Sequence, residues 1–204
     1  LLYRNNTDGA QNNTIQNNNI SLNRTYTNTY GIYSSVRHSP TAPTVTADSV
    51  NATTAPNSGN KIYGNNISNV NMGITMVGSA VAAQMDIGND VGGTSAATGN
   101  IITNWGSTGP AITVNINSSG TYHGIFMNHQ VSDNVSYNTI TSAVLNGTTA
   151  DIHAIYKRYA SGAPSGTFTS TINNNTITVT NNLTGTSDFR LIFTSGITTA
   201  SVAT

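Results

Sequence analysis

Aliphatic residues return along this chain at a fixed interval, with polar residues between them. "NNTIQNNNISLN" carries Ile15 and Ile20, and "NKIYGNNISNV" carries Ile62 and Ile67. "DNVSYNTITSA" carries Val135 and Ile140, and "STINNNTITVT" carries Ile172 and Ile177. Each pair is five apart, and the third residue after the first aliphatic is always Asn: Asn18, Asn65, Asn138 and Asn175. "GNIITNWGS" reads as a weaker fifth copy, with Ile101 and Asn104 in step and Gly106 in place of the second Ile. Side chains alternate across a strand with period two. Two inward aliphatics five apart therefore require a bend between them. Asn and Gly, which tolerate left-handed backbone or bond their own main chain, supply it. Each phrase predicts a short strand, a tight corner and a second short strand.

A second phrase follows three copies: "GIYS" at Gly31, "GITM" at Gly73 and "GIFM" at Gly124, with "HAIYKRY" around Ile155 as a degenerate fourth. It predicts a third strand introduced by a Gly turn. Three short strands joined by corners make one coil of a parallel β-helix, in which aliphatics stack on aliphatics and corner amides bond along the axis. The fold expected is all-β: a right-handed parallel β-helix of about five coils, one domain over residues 1–204. An antiparallel β-sandwich is the alternative, since many short strands with turn signals fit it too. No stretch sustains a helical period.

The corner Asn residues, counted this way, are 47, 39, 34 and 37 residues apart. That is long for one coil, so long decorating loops are expected at about 34–59, 78–99 and 146–166, with short strands inside them, as at "PTVTADSV". The tail "DFRLIFTSGITTASVAT" has strand-like alternation that would pair on the stack or cap it.

Charged residues make up 7% of the chain, there is no Glu, and seven Lys and Arg balance seven Asp. Ordinary soluble domains carry about 25% charged residues. The balance argues against a nucleic-acid surface, which needs clustered basic residues. Abundant, regularly placed Ile, Val and Thr argue against disorder. No apolar run approaches the roughly 20 residues of a membrane span. There is no Cys. The opening "LLYRNNTDG" reads as the start of a mature fragment or of an excised part of a longer chain.

The phrases "GNKIYGNNISNVNMGITM" and "DIGNDVGGTSAATGNIITNW" resemble the parallel β-helix repeats of large, Asn- and Thr-rich secreted surface proteins of Bacteroidetes-type bacteria. The resemblance covers roughly Asn12 to Thr180 and implies a secreted or cell-surface protein. Cell-surface glycans or other surface proteins would be its partners.

β-Helix folds include polysaccharide lyases and hydrolases, whose chemistry needs clustered or paired carboxylates. Among Asp8, Asp48, Asp86, Asp90, Asp133, Asp151 and Asp188, only Asp86 and Asp90 lie close in sequence. They flank "IGN" beside Gly92 and Gly93, where a cation site competes with a plain Gly-rich turn; the turn is the reading adopted. "DIHAIYKRY" holds Asp151, His153, Lys157 and Arg158, the densest ionisable group, and reads as a strand with a solvated face. His123 and His129 flank "GIFMN", His38 lies in a loop, and no metal-ligand spacing is present. Nine aromatics spread through the repeats (Tyr26, Tyr30, Tyr33, Tyr63, Trp105, Tyr122, Tyr137, Tyr156 and Tyr159) serve either as sugar-stacking platforms or as half-buried cover. "TITVT" would belong to an ice-binding face only if the two-Thr spacing ran through several consecutive coils, and it is read as not recurring. "ADSV" at Asp48 resembles a short O-glycosylation signal. No catalytic, cofactor-binding or metal residue is assigned. The function expected is a non-enzymatic structural or adhesive segment, with a polysaccharide-binding or polysaccharide-degrading β-helix as the alternative.

Overall fold

The computed structural model describes residues 7–26, 29–36, 54–106, 121–146, 151–158, 168–182 and 188–196. His38, Asp48, Tyr159 and most of the expected loops at 34–59 and 146–166 lie outside them. Three five-stranded sheets run along one axis, and every strand pair in them is parallel. The first sheet stacks Thr14–Gln16, Lys61–Tyr63, Asp90–Val91, Asn134–Ser136 and Thr171–Asn173. The second stacks Asn19–Ser21, Asn66–Val70, Ile101–Trp105, Thr139–Asn146 and Thr176–Asn182. The third stacks Tyr30–Ser35, Met72–Val77, Thr121–Asn128, Asp151–Arg158 and Phe189–Ser195. The chain visits the sheets in rotation, so this is a parallel β-helix of about five coils; an antiparallel sandwich is ruled out. The tail strand Phe189–Ser195 completes the fifth coil. Among the described residues the only helical pieces are 3-10 turns at Ala82–Gln84 and Ala96–Thr98.

Register turns the spaced aliphatics into columns. Ile15, Ile62, Val91, Val135 and Ile172 stack in the first sheet. Ile20, Ile67, Ile102, Ile140 and Ile177 stack in the second. Ile32, Ile74, Ile125, Ile155 and Ile192 stack in the third. The members in coils two to four are fully buried, whereas Ile15, Ile20, Ile172 and Ile177 of the end coils pack only partly against them.

The bends of coils one, two, four and five follow one recipe. A residue with left-handed backbone precedes an amide that bonds along the axis. Asn17, Gly64, Tyr137 and Asn174 have φ of 57°, 61°, 61° and 50°, immediately before Asn18, Asn65, Asn138 and Asn175. The third coil departs from the phrase read in the sequence. Its corner amide is Asn100, not Asn104, and its aliphatic pair is Val91 and Ile102, because residues 92–99 are inserted at the bend. The stretch 78–99 is therefore not simply a loop: it contains this coil's first strand and a short Asp86–Ile87 strand paired with Gln130–Val131. Asn104 has its own role at the next corner. Its φ is 50°, and its amide donates to Asn69, whose φ is 56°.

The expected Gly turn before the third strand is not there. Gly31, Gly73 and Gly124 lie inside their strands, at the position between the paired Tyr30, Met72 and His123 and the paired Ile residues. Each is glycine because of close approach. A Cβ on Gly73 would fall 2.4 Å from the Gly124 carbonyl oxygen and 2.8 Å from Ile102 Cγ2. The other two meet Ile67 and Ile140 in the same way. Gly73→Ala should therefore cost roughly 1–3 kcal/mol by overpacking. Gly88→Ala, with φ of +69° but nothing within 4 Å of its new methyl, should cost only the backbone strain, about 1–2 kcal/mol. Urea midpoints of the two variants measure the difference, and Gly73→Ala should also lose near-UV ellipticity from the repacked core.

Candidate functional site

The copies of the repeat identify the site by where they break it. An open groove of about 380 Å³ runs along the first sheet over coils three to five, lined by Asp90, Thr94, Asn134, Tyr137, Thr171 and Asn173. Asp90, Asn134 and Thr171 are in register on successive strands, and Ser136 pairs with Asn173 beside them. One wall is the corner insertion of residues 92–99. Glycine seats it against the next coil. A Cβ on Gly92 would fall 1.8 Å from the Ser136 carbonyl oxygen, and one on Gly99 would fall 2.0 Å from that of Tyr137. Thr98 Oγ1 donates to the Gly92 and Ser95 carbonyls at 2.7 and 2.9 Å, and the Gly64 N–H donates to the Thr98 carbonyl at 2.9 Å.

Asp90 organises the floor. Its carboxylate accepts from the Tyr63 hydroxyl at 2.6 Å, from Asn134 Nδ2 at 2.7 Å and from the Gly93 N–H at 3.0 Å. Asn134 Nδ2 also donates to the Gly93 carbonyl at 2.9 Å, while its Oδ1 accepts from Ser136 Oγ at 2.6 Å. Burial, then the hydrogen bond to Asp90 and its charge, push the Tyr63 pKa up, so this phenol stays a donor. Among the described residues lining the groove, Asp90 is the one carboxylate. Tyr137, half-buried at the rim, holds a left-handed φ of 61°. Gly or Asn occupies that position in three other coils. A bulky aromatic there is a backbone outlier.

The other sequence candidates land elsewhere. Asp86 and Asp90 do not share a site. Asp86 is buried in the stack, accepting from the Asn57 N–H and from Gln130 Nε2, both at 2.8 Å. Among the described residues no group of three or more His, Cys, Asp or Glu could hold a metal ion. "DIHAIYKR" is not a solvated face. Its interior residues are buried, and His153 stacks on His123 with ring centroids 5.9 Å apart. His129 sits at a bend with φ of 52°, its N–H donating to the Arg158 carbonyl at 2.9 Å. Trp105, Tyr122 and Tyr156 are buried; Tyr26 is exposed. Register does set Thr139 and Thr141 beside Thr176 and Thr178, so the two-Thr spacing recurs once. The preceding coils carry Ile101 with Thr103, Asn66 with Ser68 and Asn19 with Ser21.

The buried histidines give the chain a pH dependence. Burial pushes His153 down to about 4, with Asp151 acting against it, and burial with the neighbouring His153 drives His123 well below the usual 6.5. The unfolded chain therefore binds these protons first as pH falls. Stability is full above about 6.5 and is lost on the way to about 4. Unfolding free energies from urea titrations at about pH 7.5 and about pH 4.5 should differ by roughly 1–3 kcal/mol for His153 alone, and His153→Phe should reduce the dependence to the part that buried His123 contributes.

No protein-family model, curated protein or solved structure matches this chain. The fold and the groove geometry are what a functional reading rests on.

Proposed function

We propose that the chain is a non-enzymatic structural or adhesive segment of a secreted or cell-surface repeat protein. The observation that carries this reading is the continuity of the stack. All three sheets and the corner amides run through the five coils in register, which makes a short stiff rod that can present what its corners carry. Its partners would be glycans or other surface proteins. Among the described residues the groove holds one carboxylate, which supports binding over hydrolysis, because glycoside cleavage uses a pair.

Rigidity is the property to test. The chain has no native Cys, so Gln16→Cys with Asn173→Cys would place one spin-label pair on a column spanning the five coils. Four strand spacings put their backbones roughly 19 Å apart. A rod predicts one narrow distance distribution in pulsed dipolar spectroscopy; a broad one would refute it. Release of reducing ends or unsaturated products from a polysaccharide would refute the non-enzymatic part.

A further inference from the structure

We infer that the groove between the 92–99 insertion and Tyr137 is a saccharide subsite that takes a neutral glycan. The inference rests on the adhesive reading above and names its ligand. Two departures from the repeat meet at this one place. Coil three alone carries an insertion at this bend, and coil four places a tyrosine where coils one, two and five use Asn17, Gly64 and Asn174. Each departure works against the fold: the insertion orders extra chain, and the tyrosine holds a left-handed backbone that asparagine would adopt more readily. Strain kept at a surface groove, when the repeat itself supplies a relaxed alternative, points to a ligand.

The chemistry selects the ligand class. Tyr137 offers a ring at the rim, and sugar C–H faces stack on such rings while hydroxyls remain free for polar groups. The groove also presents an acceptor carboxylate from Asp90, an amide from Asn134 and a hydroxyl from Thr171, with Asn173 alongside. The Asp90 carboxylate and the Asn134 amide are already oriented by the hydrogen bonds that tie them together. This is a small, largely preformed site, within the ~300–1,000 Å³ range of small-molecule pockets. With a carboxylate as its one charged group among the described residues, it favours neutral sugars over uronates. Because Asp90, Asn134 and Thr171 follow one another along the axis, an extended polysaccharide would lie parallel to the rod.

Affinity electrophoresis of the whole chain through gels containing laminarin, xylan, galactomannan, dextran or alginate tests the inference. Retardation by at least one neutral polysaccharide and none by alginate is expected. Tyr137→Asn installs the residue that two other coils use at this bend, so it should keep or raise the urea midpoint while weakening binding about tenfold, the worth of one aromatic platform. Tyr137→Phe should retain most of the binding. No retardation in any gel, or a Tyr137→Asn variant that binds like the parent, would overturn the inference and leave the rod reading standing. Cleavage of a retarding polysaccharide would do the reverse, keeping the subsite and removing the non-enzymatic reading.

Discussion

Replacing Asn100 by Ala should lower the unfolding free energy by roughly 3–5 kcal/mol, whereas the same change at Asn18 should cost less than about 1 kcal/mol. Asn100 stands in the middle of a five-membered ladder. Its side-chain oxygen accepts from both the main-chain N and Nδ2 of Asn65 at 3.0 Å. Its own Nδ2 donates forward to Asn138 Oδ1 at 2.9 Å and back to the Ile62 carbonyl at 2.8 Å. Every link has the same polarity: Asn18 donates to Asn65, Asn65 to Asn100, Asn100 to Asn138 and Asn138 to Asn175. Aligned amide dipoles polarise one another, and the interior members have no water to fall back on. Truncation at Asn100 strands the Asn65 N–H and one Asn65 amide hydrogen inside the stack, while the Ile62 carbonyl keeps its bond from the Gly92 N–H at 3.0 Å. Each buried orphan costs about 1–3 kcal/mol, less whatever water can enter the space left. Asn18 is exposed, and the Asn65 oxygen it bonds still accepts from the Asn18 main chain. Urea titration of both variants settles the comparison. Equal losses would mean that the ladder acts through corner geometry and not through buried hydrogen bonding.

The architecture was legible because its signal is local. Ile15 with Ile20 and Ile172 with Ile177, each pair with its Asn, state strand, bend and strand within a few residues, and stacking repeats this in space. The third coil was misaligned for the same reason. Ile101 begins the second strand of its coil, and the partner that defines the phrase, Val91, is separated from Ile102 by the inserted bend. A second ladder was readable and missed. Asn13, Asn60 and Asn89 each stand two residues before the first aliphatic, and Asn13 donates to Asn60 Oδ1 at 2.9 Å, as the Asn60 N–H does to Asn89 Oδ1 at 2.8 Å. The groove was not legible. Asp90, Asn134 and Thr171 are brought together only by register, and the anomaly at Tyr137 lies in its φ angle. The burial of His123 and His153 is equally non-local, since polar "DIHAIYKRY" gives no hint that the strand Asp151–Arg158 is covered on both faces.

Lys157→Met should destabilise the chain by roughly 3–5 kcal/mol, yet the double change Asp133→Asn with Lys157→Met should be close to neutral or stabilising. The repeat itself supplies the reason. Lys157 occupies a column that runs Met76, Met127, Lys157, Thr194, and Asp133 precedes the first strand of its coil where Asn60 and Asn89 precede theirs. Coil four thus replaces an Asn and a Met by an ion pair. Lys157 Nζ lies 2.5 Å from Asp133 Oδ1, with both side chains buried, and donates to the Gln130 carbonyl at 2.8 Å. Burial pushes the Lys157 pKa down, while the charge of Asp133 acts against that shift. Such a pair is held in a balance between desolvation and attraction, so removing one member leaves an uncompensated charge in the stack. Lys157→Met does this to Asp133, whose remaining donor is Ser170 Oγ at 2.5 Å. The double variant returns both positions to the residues that the two preceding coils use, with an amide that can rejoin the second ladder. A double-mutant cycle in urea measures the coupling, expected to be at least as large as the loss in Lys157→Met, roughly 3–5 kcal/mol or more and above the usual range for contacting residues, because either single change leaves a buried charge alone. A double variant as unstable as Lys157→Met would show that the pair is required for the packing of this coil and is not an exchangeable form of the Asn–Met arrangement.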